Sequence, residues 1–203
     1  MGPFGPIGGI MNKKITTKQI VGTGLLLALE IIFQIFGNYL QFGPVNINLS
    51  LVTIVIAAVL YGPLSGAILG FFNGLLALLS PSTLAIFMPI SPAGTVIACL
   101  LKTTIAGLLA GLSFKLFKNK NQVLGLIISS LIVPIVNTGL FSVCCLIFFR
   151  PFLESGVGEQ FPNIGAFLIF GIIGWNFIFE IITTVVVSTI VGTILLKRNK
   201  EAK

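Results

Sequence analysis

Three ionisable side chains lie inside long apolar stretches of a chain in which only 8% of residues are charged: Glu30, Lys102 and Glu180. A charged group in hydrocarbon is costly unless it faces a partner or a water-filled cavity. Such residues are rare in membrane helices and are functional by default. The sequence therefore predicts a polar pocket inside an apolar helical bundle.

Uncharged polar residues accompany these three at similar depths. With a rise of about 1.5 Å per residue, Glu30 and Asn73 lie roughly 10 Å from the outer ends of their helices. Lys102 and Asn176 lie at roughly 14 Å, and Glu180 is deeper, at roughly 18–21 Å. The predicted substrate-binding residues are Lys102, Asn137, Thr138, Asn176, Glu180, Trp175, Asn73, Asn48 and Glu30.

Spacing along the last apolar stretch places two of these residues together. Asn176 and Glu180 are four apart and share a helix face, which Thr183 extends. Trp175 is adjacent, and an aromatic ring is a common wall of a ligand pocket. In the preceding stretch, Pro134 removes one backbone donor and predicts a kink close to Asn137 and Thr138.

The residue types indicate a small polar solute that carries an anionic group. Lys102 would bind the anionic group, while Asn and Thr would bind amides and hydroxyls. Two structural alternatives remain open. Lys102 could pair with Glu180 or Glu30 and merely neutralise it, and each Asn could make only an interhelical hydrogen bond.

The elements that position these residues are six predicted membrane helices. About 20 apolar residues span a bilayer, and the mean hydropathy of the 203-residue chain is +1.11. The fold class is an all-α integral membrane protein with a single domain over residues 1–203. The predicted helices cover residues 19–37, 48–61, 63–80, 93–116, 122–149 and 166–196. The second and third are separated by Tyr61-Gly62-Pro63, which predicts a tight turn.

The basic residues predict the orientation of the bundle. Lysine and arginine cluster before the first helix, around residues 115–120 and at the C-terminus. Cytoplasmic loops carry such an excess, so both termini are predicted to lie in the cytoplasm, in a plasma-membrane protein. The opposite loops at 38–47 and 81–92 are uncharged and rich in Pro, Gly and Asn, which predicts that they fold back over the bundle. Residues 1–10 are Gly- and Pro-rich and suggest an added leader before a natural start at Met11.

Several chemistries find no support in the sequence. The chain has no His and no Asp, so ordinary metal sites and a Ser-His-Asp triad are not predicted. It has no GxxxxGK[ST] loop, so no nucleotide-driven motor and no cofactor are expected in this chain. Cys99, Cys144 and Cys145 show no metal spacing and are interpreted as small buried hydrophobes. An intramembrane enzyme would have only the Glu30–Glu180 carboxylate pair for acid–base work.

Small residues recur every four positions on three of the predicted helices. Gly62, Gly66, Gly70 and Gly74 lie on the third, and this spacing lets helix backbones approach closely. Gly107 and Gly111 lie on the fourth, and both sets of glycines are interpreted as packing within the bundle. The pair Gly24 and Ala28 on the first helix is more open, because another membrane protein could dock there.

Four segments, taken in order, resemble the substrate-binding S components of energy-coupling factor (ECF) vitamin transporters. These segments are GTGLLLALEIIFQ, NINLSLVTIVIAAVLYGPLSGAILGFFNGLLALLSP, CLLKTTIAGLLAGL and PIVNTGLF. The resemblance covers almost all of residues 15–197. INLSLVTIVIAA, which is part of the second segment, and the fourth segment PIVNTGLF are most similar to the pantothenate-specific members.

The resemblance implies a subunit that captures a vitamin from outside the cell. It would dock on a shared module of one transmembrane coupling protein and two ATPases, which hold the ATP and Mg. The family's AxxxA docking motif falls on Gly24 and Ala28, with Gly in place of the first Ala. A stand-alone facilitator or ion-coupled carrier for a small polar solute is the alternative.

Overall fold

The chain is helical over almost all of the residues that the computed structural model describes, which are 17–39, 41–42, 45–46 and 49–201. Two two-residue strands between the first and second helices pair antiparallel, with Gln41 opposite Asn46. The elements are α1 (Thr17–Tyr39), β1 (Gln41–Phe42), β2 (Val45–Asn46), α2 (Ser50–Tyr61), α3 (Pro63–Leu78), α4 (Pro92–Phe117), α5 (Gln122–Phe148), α6 (Arg150–Ser155), α7 (Ile164–Ala166) and α8 (Gly174–Glu201). Short π-helical turns occur at Thr83–Phe87 and Phe167–Ile173.

Multiple apolar helices make this an integral membrane protein. Within the described residues, four segments are long and apolar enough to cross a membrane: Gln19–Gly37, Pro92–Phe117, Gln122–Phe148 and Ile164–Arg198. The helices α2 and α3 are apolar but shorter. The six predicted spans overlap α1, α2, α3, α4, α5 and α8, in that order. The number of helices that cross the membrane and the orientation of the termini stay predictions.

Helix α2 forms the centre of the bundle. Ten consecutive residues from Ser50 to Val59 are buried, and Leu51, Ile54 and Val55 are fully inaccessible. A helix that is apolar on all sides is stable only when other helices surround it. Here α1, α3, α4, α5 and α8 all contact α2. The remaining helices are thereby arranged around a common axis.

The turn between α2 and α3 is the tight one that the sequence predicts. Helix α2 ends at Tyr61 and α3 begins at Pro63. Gly62 between them has a φ of 104°, which residues with a side chain rarely adopt. Pro63 takes the first position of the new helix, where its missing N–H is not needed.

Helices α3 and α4 pack through the predicted glycines at backbone-to-backbone distance. A Cβ added to Gly70 would overlap the carbonyl of Thr103, and one added to Gly74 would overlap that of Cys99. Gly66 and Gly107 face each other in the same way. The predicted packing within the bundle is confirmed for Gly66, Gly70 and Gly74, whereas Gly62 lies in the turn with open space around its Cβ position.

The last predicted helix is not continuous, which corrects the single span expected over 166–196. The π-helical turn Phe167–Ile173 precedes α8, and Gly174 between them has a φ of 37°. The sequence contains Gly171 and Gly174 but no proline there. Periodicity did not reveal the break, because the residues on both sides are apolar.

We expect Gly70→Ala to destabilise the protein by about 1–3 kcal/mol, because the new methyl group meets a backbone carbonyl that cannot move independently. The matched control is Gly139→Ala in α5, where a Cβ meets nothing within 4 Å. That control should be neutral or stabilising by up to about 1 kcal/mol. Thermal unfolding in detergent micelles measures both, and equal midpoints would contradict the packing role of Gly70.

Candidate functional site

A cavity of about 210 Å³ lies where α4, α5 and α8 meet the second π-helical turn. Five of the predicted site residues line it. The lining residues are Lys102, Asn137, Thr138, Phe141, Ile172, Ile173, Asn176, Phe177 and Glu180. The cavity thus combines one ammonium, one carboxylate and two amides with apolar walls.

Helices α5 and α8 present their residues to the cavity with the same spacing. Asn137, Thr138 and Phe141 follow the i, i+1, i+4 pattern of one helix face. Asn176, Phe177 and Glu180 repeat that pattern on α8. Each face therefore presents polar groups and an aromatic ring, so that the cavity can contact both parts of an amphipathic solute.

A hydrogen bond joins the two faces. Asn137 Nδ2 donates to Glu180 Oε1 at 3.1 Å, which links α5 to α8 beside the cavity. The other polar atom of that amide, Asn137 Oδ1, is buried and accepts no hydrogen bond. The Glu180 carboxylate thus orients the side-chain amide of Asn137, and the oxygen of that amide remains able to accept a hydrogen bond.

Lys102 stands apart from this pair. Its Nζ lies 4.9 Å from the centroid of the Phe141 ring, which is cation–π geometry. Across the described residues, the ion pair with a separation below 4 Å is Arg150–Glu154, on the first turn of α6. Lys102 therefore does not form the structural ion pair that the sequence left open, although its charge acts on Glu180 through space.

Glu30 and Asn73 do not reach the cavity. Glu30 is 0% exposed and lies near the side chains of Thr53 and Asn73, in a polar cluster among α1, α2 and α3. Asn73 Nδ2 donates to Ser50 Oγ at 2.6 Å. Both carboxyl oxygens of Glu30 lack a partner by hydrogen-bond geometry despite their polar neighbours. Depth along a helix grouped these residues with Lys102, but rotation about the helix axis separates them.

One further predicted residue that the structure describes, Trp175, is absent from the cavity wall. Trp175 precedes Asn176 by one residue, and its side chain is consequently turned away by about 100°. It is 67% exposed on the surface of the bundle. Asn48 lies outside the described residues.

Sequence reasoning missed four residues of the wall. Phe141 follows Asn137 by four residues, and Phe177 follows Asn176 by one residue. That spacing could have identified both of them. Ile172 and Ile173 lie in the irregular turn before α8, which no periodic pattern reveals.

The predicted docking residues lie on an open face of α1. Gly24 and Ala28 are exposed, and a Cβ added to Gly24 meets no atom within 4 Å. Glu30 is two residues beyond Ala28, so its side chain points about 200° away, into the bundle. Helix α1 therefore has a buried carboxyl group on the side that faces the bundle and small, exposed residues on the other side.

The fold is a membrane-embedded helical bundle with an internal cavity lined by charged, amide and apolar side chains. The family "ECF transporter, substrate-specific component" matches residues 18–191. The chain is 30% identical to "Pantothenate transporter PanT" of Leuconostoc mesenteroides subsp. mesenteroides in an alignment of 195 residues that covers 89% of this chain and 93% of that protein. In fold it is similar to ThiT from Listeria monocytogenes, with a TM-score of 0.58 and 17% identity over 90% of this chain and 95% of that one.

The chain belongs to the family of substrate-specific components of ECF transporters. It is therefore a transport subunit and not the intramembrane enzyme that the sequence left as an alternative. The resemblance seen in the sequence segments is confirmed at the level of the family.

We expect Asn137 and Glu180 to be energetically coupled. In a double-mutant cycle of Asn137→Ala and Glu180→Ala, the coupling free energy should be about 0.6–2 kcal/mol, the range for hydrogen bonds between membrane helices. Reversible unfolding in mixed micelles measures it. The pair Asn137→Ala and Ser142→Ala is the control, because Ser142 donates to the Thr138 carbonyl in its own helix. Additive effects for Asn137 and Glu180 would exclude their hydrogen bond from the stable fold.

Proposed function

We propose that this chain captures pantothenate in the cavity between α4, α5 and α8 and presents it to an ATP-driven ECF coupling module. The observation that carries the proposal is the placement of the Lys102 ammonium and the Asn137–Glu180 pair around one small cavity. The relative whose name specifies pantothenate, and which aligns along most of the chain, supports the choice of vitamin.

The chemistry of pantothenate matches the distribution of groups. Its carboxylate would bind Lys102, because a charge-assisted contact is the strongest that the cavity offers. Its amide and two hydroxyls would bind the amides of Asn137 and Asn176 and the carboxylate of Glu180. Its methyl groups would contact Ile172 and the neighbouring apolar wall. The volume of about 210 Å³ is below the roughly 300–1,000 Å³ of pockets for drug-sized ligands and suits a small metabolite.

The proposed orientation has six membrane helices, with both termini in the cytoplasm. Exposed Lys115, Lys118 and Lys120 at the α4–α5 connection would then lie on the cytoplasmic side with the terminal lysines. The cavity would belong to the outer half of the bundle. Helix α1 would dock on the transmembrane coupling protein through Gly24 and Ala28, and ATP with Mg would be bound only by the two partner ATPases.

Lys102→Ala should weaken pantothenate binding by about 10- to 150-fold, since it removes a charged hydrogen-bond donor. Isothermal titration of the purified chain in detergent measures the affinity, with a panel of other vitamins in parallel. Lys115→Ala is the matched control, because that lysine is exposed in the last turn of α4. If the wild-type chain binds no member of the panel, the proposed function is wrong. Unchanged affinity in Lys102→Ala would remove this residue from the site.

Gly24→Leu and Ala28→Leu should leave pantothenate affinity unchanged and abolish ATP-dependent uptake in proteoliposomes that contain the complete transporter. Each adds bulk at an exposed position of α1, and a Cβ at Gly24 meets no atom within 4 Å. Gly139→Leu is the control, because Gly139 is also exposed with open space around its Cβ position. Normal uptake by the α1 variants would show that this face meets only lipid. Uptake by the chain alone would instead identify a stand-alone carrier.

A further inference from the structure

The contact between Lys102 and Phe141 has a consequence for selectivity. Lys102 lines the cavity together with a carboxylate, yet its Nζ forms no ion pair within 4 Å and lies 4.9 Å from the centroid of the Phe141 ring. A ring face attracts an ammonium through its quadrupole but carries no net charge. The ammonium is thus stabilised without being neutralised.

The ring of Phe141 is itself held in position. Phe87, in the π-helical turn Thr83–Phe87, meets it edge to face, with centroids 5.7 Å apart and an interplanar angle of 84°. The ring centroid of Phe87 in turn lies 4.9 Å from that of Phe149 and 5.6 Å from that of Phe152. Phe149 is only 1% exposed. The connection between α3 and α4, which contains Phe87, therefore holds the Phe141 ring in place through a packed cluster of aromatic rings.

Glu180 is the competing partner for Lys102. Both side chains line the cavity and their charges attract each other, but the two groups are not within the 4 Å of an ion pair. If Lys102 moved to Glu180, the ion pair would neutralise the anion-binding end of the cavity and the carboxylate that orients Asn137. An anionic solute would then have to break that pair before it could bind.

We propose that Phe141 is a specificity-determining positioning residue, whose ring keeps the Lys102 ammonium away from Glu180 and available to the carboxylate of the substrate. The role deepens the proposed function and rests on it, because it presupposes an anionic solute in this cavity. Phe141 selects for the charge of the ligand and not for its length or hydroxyl pattern.

The test compares pantothenate with pantothenol, in which a primary alcohol replaces the carboxylate. Affinities of both are measured by titration calorimetry on the purified full-length chain. The wild-type chain should prefer the acid. Phe141→Leu should reduce this preference by about 5- to 30-fold, through weaker binding of pantothenate alone. Phe141→Tyr, which retains a ring face, should restore the preference.

Two controls separate positioning from packing. Phe152→Leu removes a ring of the same aromatic cluster that contacts neither Lys102 nor the cavity, and it should leave the preference unchanged. In a Glu180→Gln background, Phe141→Leu should no longer reduce the preference, because the competing carboxylate is gone. If Phe141→Leu cannot be purified in folded form, Phe141→Met replaces it with a side chain of similar size.

Three other outcomes would contradict either the role of Phe141 or the proposed function. Equal losses for pantothenate and pantothenol in Phe141→Leu would make Phe141 only a wall of the cavity and overturn the proposal. The same loss of preference with Gln at position 180 would exclude Glu180 as the competitor and overturn it as well. A wild-type chain that binds neither compound would instead refute the proposed function itself.

Discussion

The structure depends on one constraint, which is that an ionisable group in the middle of a long apolar helix must be enclosed by protein. Glu30, Lys102 and Glu180 lie on three different helices, and all three side chains are directed into the bundle. Their apolar neighbours on the same helices are largely exposed, as expected for surfaces that meet lipid. The rotation of α1, α4 and α8 about their axes therefore follows from these few residues.

The constraint is met in two different ways. Glu30 is enclosed in a compact polar cluster with Thr53 and Asn73, next to the buried helix α2. Lys102 and Glu180 instead border a cavity, where the groups are separated and retain unused capacity for contacts. Helix α3, which supplies Asn73 to this cluster, is itself packed closely on α4 through its glycines. The irregular turn before α8 leaves room for the cavity.

The sequence predicted the long helices and the Gly62 turn, because apolar length and proline–glycine chemistry act locally. It also predicted that Lys102, Asn137 and Glu180 belong together. It could not exclude Glu30 from that group, since depth is read along a helix while direction depends on neighbouring helices. The break at Gly174 was missed for a related reason. An apolar segment can be α-helical or π-helical with the same composition, and only the packing distinguishes them.

The position of Glu30 also affects how the membrane protein is assembled. A chain made from its N-terminus presents α1 to the bilayer before Thr53 and Asn73 have been synthesised. During that interval the carboxyl group has none of the polar neighbours that surround it in the finished bundle. Because Thr53 and Asn73 lie on α2 and α3, we expect α1 to be held in the bundle only after these two helices have enclosed the carboxyl group. Burial of the Glu30 carboxyl group would thus make the folding of α1 depend on the synthesis of α2 and α3.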